Sequence, residues 1–202
     1  MNSLLLTLPL ALAALTHGLR ADIVIPGANG SDGALNVTQH TVIDLSQAAT
    51  GDWDADNSAH AGKGIYDPAK WAVVFKYSGV NIASGAKVTF KNHPSRAPVV
   101  WLVSGDATIA GELNLDGQVG QEPPLLAEPG PGGFRGGAGE YLGVQRGSGF
   151  GPGGGQAGDG GLDAITASGG YGSAGASLGG LPPGATYGNP SLIPLVGGSG
   201  GG

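Results

Sequence analysis

Apolar and polar residues alternate along residues 71–117, which is the pattern of strands with one buried face. At the start of this segment, branched and aromatic side chains recur at every second position: Trp71, Val73, Phe75 and Tyr77. The alternation continues through residues 80–91, with a bend at Ser84–Gly85, and returns from Ala107 to Leu115. Residues 99–103 (VVWLV) are apolar throughout, which is typical of a strand covered on both faces.

Before residue 71 the pattern predicts shorter strands. Residues 34–46 alternate in two pieces with a bend near Gln39–His40, and residues 22–26 (DIVIP) form a further strand candidate. Glycine, asparagine and aspartate cluster between residues 27 and 33, which indicates a turn. Residues 49–70 are polar and turn-rich, and a connection of this length is unusual. We expect its apolar members to anchor it to the body: Trp53, Ile65 and Tyr66.

Two stretches of the chain resemble each other and predict stacked repeats. Residues 78–90 and 104–115 both read as Ser-Gly, strand, small-Gly bend, strand, and they start 26 residues apart. Repeats of about 20–50 residues are typical of stacked structures, and short strands with bends favour a β-solenoid. The alternative is a β-sandwich with two similar hairpins and a disordered glycine-rich tail. No window after residue 21 has helical spacing, so either architecture is all-β.

Beyond Gln118 the alternation ends and glycine replaces larger side chains. Most of the 42 glycines lie between residues 130 and 202. Aromatic residues recur among them: Phe134, Tyr141, Phe150, Tyr171 and Tyr187. Glycine loses more conformational freedom on ordering than any other residue, which favours disorder. The other interpretation is a set of large loops that the aromatic residues pin to the strands, with glycine permitting close backbone approach.

The chain divides into three parts. Residues 1–21 are interpreted as a signal peptide, because a short apolar run is followed by small residues and a plausible cleavage point after Ala21. Residues 22–128 form a β-rich, solenoid-like domain, and residues 129–202 form the glycine-rich region. Because the sequence stops within a run of glycines, we expect this region to continue in a longer protein. No transmembrane segment is expected, and the predicted location is secreted, extracellular or on the cell surface.

Composition narrows the classes of partner. The chain has no cysteine, so a secreted form cannot use disulfides. Its formal net charge is −6 with only nine lysines and arginines, which argues against nucleic acid and against electrostatic docking on an anionic membrane. The expected partners are therefore extracellular polysaccharide or components of the cell envelope.

An acidic motif in the 49–70 connection is the one candidate metal site. Asp52, Asp54 and Asp56 occupy alternate positions, and such a loop can offer several oxygens to calcium. The full calcium-loop pattern is absent, because Asn57 and Lys63 stand where glycine and glutamate belong. A solvated acidic loop is the alternative. Calcium is the only cofactor that the sequence suggests.

Catalytic motifs are sparse. The three histidines after residue 21 lack zinc-site spacing, and the chain has no Gly-x-Ser-x-Gly elbow. For a polysaccharide lyase or hydrolase, carboxylates and a lysine or arginine would have to converge on one face. The available residues are Asp44, Asp52, Asp54, Asp56, Lys91 and Arg96. The composition favours a non-enzymatic structural or adhesion-type protein over such an enzyme.

Three segments carry a resemblance to a known group of proteins. They are SGDATIAGELNLDG from Ser104, PGPGGFRGG from Pro129 and YGNPSLIPLVGGSGGG from Tyr187. With them, most of the chain after the signal peptide resembles glycine-rich secreted bacterial surface proteins of uncharacterised activity. The resemblance rests on composition and implies a right-handed, β-helix-like exterior protein. Such proteins often continue into further glycine-rich repeats.

Overall fold

The structure is a computed structural model that describes residues 25–119, 125–139, 146–158, 166–189, 191 and 196–202. The signal-peptide segment, Tyr141 and most of the 22–26 strand candidate lie outside the described residues. The described strands are β1 (Gly33–Val37), β2 (Thr41–Asp44), β3 (Ala49–Thr50), β4 (Ile65–Asp67), β5 (Ala72–Ile82), β6 (Lys87–Lys91), β7 (Val99–Val103), β8 (Ala107–Ile109) and β9 (Glu112–Leu113).

Helix is almost absent from this part of the chain. It consists of two single-turn 3-10 helices, Leu45–Gln47 and Ser58–His60. The prediction of an all-β protein is therefore confirmed. Among the described residues, no helix has the length and apolar character needed to cross a membrane.

Strand pairing is almost entirely parallel. In the larger sheet, β5 lies between β1 and β8 along residues 80–82 and between β4 and β7 along residues 73–74. In the smaller sheet, β6 lies between β2 and β9. Of the seven pairs between described strands, only β4–β5 is antiparallel.

The two similar stretches of sequence lie alongside each other. Val80 in β5 pairs with Ala107 in β8, and Val88 in β6 pairs with Leu113 in β9. Upstream, Val73 pairs with Val99. Partners are thus 25 to 27 residues apart, which is the spacing that the sequence similarity predicted.

Strand β5 is buried on both faces. Val73, Phe75 and Tyr77 belong to the main apolar cluster, together with side chains of β6. The opposite face contributes Ala72 and Val74 to a second cluster. Strand β7 is shared in the same way: Val99, Trp101 and Val103 pack on the main cluster, whereas Val100 and Leu102 belong to the second. The sequence prediction of a strand covered on both sides is confirmed for residues 99–103.

The 49–70 connection contains two strands, which the sequence analysis missed. β4 pairs antiparallel with the first residues of β5, and β3 adds to it in parallel. Ile65 is buried and Tyr66 packs on the main cluster, as the anchoring prediction required. Strands of two and three residues are too short to produce a recognisable alternation, so the sequence indicated only a polar loop.

Asp32 fills a gap beside β5. Neither β4 nor β1 pairs with Lys76, and Asp32 takes the place of a strand there: its N–H donates to the Lys76 carbonyl at 2.9 Å, and its carboxylate accepts the Lys76 N–H at 2.6 Å. The same carboxylate accepts from Asn57 Nδ2 at 2.6 Å and from the Gly62 N–H at 2.8 Å. Asp32 and Asn57 are both buried. Because these contacts join the middle of the 49–70 connection to β5, we call this group the Asp32 anchor.

The described part of the glycine-rich region is packed backbone against backbone. The Gly200 N–H donates to the Phe150 carbonyl at 3.0 Å, and the Gly155 N–H donates to the Gly200 carbonyl at 3.1 Å. A methyl group on Gly197 would overlap the carbonyl oxygen of Gly132. Glycine at such positions lets chains approach more closely than any side chain permits.

Aromatic side chains connect this region to the strands and to itself. Phe134 stacks on Trp71 with ring centroids 5.6 Å apart. Tyr171 and Tyr187, in contrast, contact each other within the glycine-rich region at 5.2 Å. Of the predicted pins, Phe134 therefore contacts the strand body, whereas the two tyrosines join separate glycine-rich segments.

Candidate functional site

The outward face of the smaller sheet is polar. Along β6, Val88 and Phe90 pack on the main cluster, so Thr89 and Lys91 lie on the other face. The neighbouring strands continue this alternation. We define the polar face by its charged and hydrogen-bonding side chains: Asp44, Lys87, Thr89, Lys91, Glu112, Asn114 and Asp116.

Side chains of the polar face pair across strands. Lys91 Nζ lies 2.9 Å from Asp44 Oδ2, and Lys87 Nζ lies 2.9 Å from Glu112 Oε1. Asn114 Nδ2 donates to Glu112 at 2.9 Å and to Asp116 at 3.1 Å. Exposed ion pairs of this kind add little to stability. Their effect is to hold the polar side chains in defined positions.

A cleft of about 460 Å³ opens at one end of the polar face. Its polar lining consists of Thr89, Lys91, Asn92, Asn114, Asp116, Gln118 and Glu128. Phe90, Pro129 and Pro131 add apolar surface. The cleft therefore joins the polar face to the beginning of the glycine-rich region.

Glu128 is the most tightly held of these side chains. It accepts from Asn92 Nδ2 at 3.2 Å and from Arg135 Nε at 3.0 Å, and it forms an ion pair with Arg96. Arg96 has a φ of 62°, which is strained for a residue with a side chain and costs about 1–3 kcal/mol. The surrounding turn is fixed by Trp71 Nε1, which donates to the Ser95 carbonyl at 3.0 Å. The carboxylate of Glu128 is thus immobilised at the edge of the cleft.

Two carboxylates of the polar face have lowered pKa values. The Ser46 hydroxyl, 2.5 Å from Asp44, and then Lys91 lower the pKa of Asp44 from 3.8 to about 2. The hydrogen bond from Asn114, followed by that from Lys87, lowers the pKa of Glu112. A general acid needs the opposite shift, so that it carries a proton near neutral pH. These two groups are hydrogen-bond acceptors rather than proton donors.

The pKa of Asp44 predicts how stability depends on pH. Because folding lowers this pKa, Asp44 contributes stability above about pH 3.8, and the contribution is lost as the pH falls towards 2. We expect Asp44→Asn to have a lower free energy of unfolding than the wild type at about pH 5 and to approach it at about pH 2. Urea unfolding at both pH values measures this difference. An equal gap at the two pH values would contradict the prediction.

Two aspartates of the predicted calcium site share one lysine, and the third has a different partner. Lys70 Nζ lies 3.8 Å from Asp52 and 3.5 Å from Asp54, and it also pairs with Asp67 at 3.5 Å. Asp56 instead accepts from the Ser58 N–H at 2.9 Å. Within the described ranges, no three acidic, histidine or cysteine side chains form a group that could hold a metal ion. Calcium binding at Asp52, Asp54 and Asp56 stays a prediction.

The residues considered for a lyase or hydrolase are distributed over two places. Asp44 and Lys91 lie on the polar face, and Arg96 supports Glu128 at the cleft. Asp52 and Asp54 lie in the connection beside Lys70. Sequence reasoning did not select five residues that line the cleft: Asn92, Asn114, Asp116, Gln118 and Glu128. The alternation through residues 112–116 was a usable signal for two of them, because it places Asn114 and Asp116 on one face.

Comparison with known family models, characterised proteins and solved structures returned no match. The function of the polar face and cleft is therefore argued from the residues themselves.

Proposed function

We propose that the protein is a non-enzymatic, secreted or cell-surface protein of structural or adhesive type, built on a right-handed parallel β-helix. The observation that carries the β-helix is the parallel pairing of strands whose partners lie 25 to 27 residues apart. In a β-helix, each coil adds one strand to each sheet, so successive coils pair in parallel and in register. A right-handed path is the usual one for parallel connections.

The same pairing weighs against the β-sandwich. A sandwich is assembled from antiparallel strands joined by hairpins and Greek-key connections. Among the described strands, the one antiparallel pair involves β4, which belongs to the 49–70 connection. The similar segments, from which a sandwich would need two hairpins, pair in parallel.

A structural or adhesive role is supported by the chemistry of the polar face. Its lysines contact carboxylates, and the pKa values of Asp44 and Glu112 are lowered. Such groups offer hydrogen bonds without a poised proton donor. The described part of the glycine-rich region adds backbone contacts, and its sequence resembles that of glycine-rich exterior proteins.

A polysaccharide lyase or hydrolase is the second candidate. The observation in its favour is that Lys91, Asp116 and Glu128 line one cleft, with Asp44 paired to Lys91. Carboxylates and a basic group on one face are what such an enzyme needs.

Secretion is tested by fractionating cultures of the natural host. We expect the protein in the medium or on the cell surface, with an intact mass that begins at Asp22. Recovery from the cytoplasm with residues 1–21 still attached would contradict the proposal.

The non-enzymatic assignment is tested by product analysis. The purified protein is incubated with polygalacturonate, xylan and β-glucan, and reducing ends and unsaturated sugars are measured. We expect the same background for the wild type and for Lys91→Ala. Cleavage by the wild type that disappears in Lys91→Ala would instead establish the enzyme.

A further inference from the structure

We propose that the cleft at the end of the polar face binds a neutral, hydroxyl-rich polysaccharide chain. The inference deepens the proposed adhesive function and rests on its extracellular location, where such chains occur. A volume of about 460 Å³ lies within the range of about 300–1,000 Å³ that is typical of small-molecule sites, so a few sugar units can be accommodated.

The lining suits hydroxyl groups because it mixes donors with acceptors. The Nδ2 groups of Asn92 and Asn114 already donate twice each within the protein, so these amides offer their oxygens to a ligand. Gln118 Nε2 adds a donor, whereas the carboxylates of Asp116 and Glu128 only accept. A sugar hydroxyl also donates and accepts, so neighbouring hydroxyls can bond to adjacent side chains of either kind. The apolar surface from Phe90 and the two prolines can contact the C–H faces of a sugar ring.

Charge pairing at the cleft favours a neutral ligand over an ionic one. Lys91 contacts Asp44 at 2.9 Å, and Glu128 is shared between Arg96 and Arg135. A uronate or a sulfated sugar would have to compete with these carboxylates for the cations. To pair with Asp44 or Glu128, a cationic ligand would have to displace Lys91 or the arginines in the same way. Asp116 differs from these two carboxylates, because its side chain accepts from the Asn114 amide. Uncharged hydroxyls leave the existing pairs in place.

The cleft side chains are held before a ligand arrives. Asn114 Nδ2 contacts Glu112 and Asp116, and the Glu128 N–H donates to Gln118 Oε1 at 3.4 Å. Asn92 Nδ2 also donates to the Pro129 carbonyl at 2.7 Å. Ordering a free side chain on binding costs about 0.5–1.5 kcal/mol, and this cost is reduced where the side chain is already fixed.

The test measures how soluble polysaccharides slow the full chain in native gels. The probes are mixed-linkage β-glucan, arabinoxylan, galactomannan and dextran, with polygalacturonate as the acidic comparison. We expect at least one neutral polysaccharide to retard the wild type. The double variant Asn114→Ala, Gln118→Ala should bind at least tenfold more weakly, because two hydrogen-bonding amides are lost.

The matched control is the double variant Asn36→Ala, Asn81→Ala. These two exposed amides are register partners on the larger sheet, away from the cleft lining, and we expect their loss to leave retardation unchanged. Thermal unfolding of each variant verifies that it is folded, and Asp116→Asn serves as a milder change if the double variant unfolds. The proposal is overturned if no neutral polysaccharide retards the wild type, if only polygalacturonate does, or if the cleft variants bind as well as the control. If the protein is secreted but fails this binding test, the cleft assignment is overturned and the proposed structural role is unaffected.

Discussion

Replacing Gly197 by alanine is expected to loosen the glycine-rich region, whereas the same replacement at the adjacent Gly198 is expected to have little effect. The added methyl at Gly197 meets the backbone carbonyl of Gly132, which cannot rotate away as a side chain would. Gly132 is itself in a crowded position, because a methyl group there would meet Pro98. Overpacking of this kind costs about 1–3 kcal/mol.

Gly198 provides the matched control. A methyl group there has no atom within 4 Å, and the expected change in stability is smaller than about 1 kcal/mol. The measurement is hydrogen exchange of peptides covering residues 147–157. This segment contacts Gly200, because the Gly155 N–H donates to the Gly200 carbonyl and the Phe150 carbonyl accepts from the Gly200 N–H. Faster exchange in Gly197→Ala alone is the expected result. Equal exchange rates in the two variants would show that backbone packing does not hold this region.

Asp32→Ala is expected to lower the free energy of unfolding by about 3 kcal/mol or more. The buried carboxylate accepts from Asn57, Gly62 and the Lys76 N–H, and alanine leaves all three donors without it. An unsatisfied buried donor costs about 1–3 kcal/mol. The 49–70 connection should also become sensitive to proteases, because the Asp32 anchor joins it to β5.

Urea unfolding of Asp106→Ala is the control for this change. Asp106 is exposed, and we expect the substitution to alter stability by less than about 0.5 kcal/mol. If the free energy of unfolding falls no further in Asp32→Ala than in Asp106→Ala, water replaces the lost acceptor. The anchor would then contribute only to local geometry.

The strands were predictable where alternation is long enough to be read. The alternation of residues 71–77 predicted β5 with one buried face, and the apolar run 99–103 predicted that β7 contacts apolar side chains on both faces. The burial of the second face of β5, which includes Lys76, was not predicted. β4 was not predictable, because a strand of three residues is too short to show an alternation of apolar and polar side chains. Its conformation depends on pairing with β5, which the sequence does not reveal. The Asp32 anchor was equally hidden, because its partners are 25 to 44 positions away along the chain.

The candidate site illustrates the difference between local and cross-strand patterns. Asp52, Asp54 and Asp56 are conspicuous in sequence because they are close together. Nevertheless, only the first two share a partner, Lys70, whereas Asp56 accepts from Ser58. The Asp44–Lys91 pair spans 47 positions and is created only by the parallel register of β2 and β6. The glycine-rich region was ambiguous for a related reason: glycine has no side chain to reveal which backbone it approaches.

Backbone packing in the glycine-rich region has a thermodynamic consequence. Unfolding raises the heat capacity by about 12–15 cal/mol/K per residue in ordinary domains, chiefly because hydrocarbon becomes hydrated, while exposure of peptide groups lowers it. The glycine segments bury mainly peptide groups, so the heat-capacity change when they unfold should be small. Their stability then varies little on cooling, in contrast to the apolar clusters around β5, whose contribution weakens in the cold. The two parts of the chain are thus suited to different ends of the temperature range.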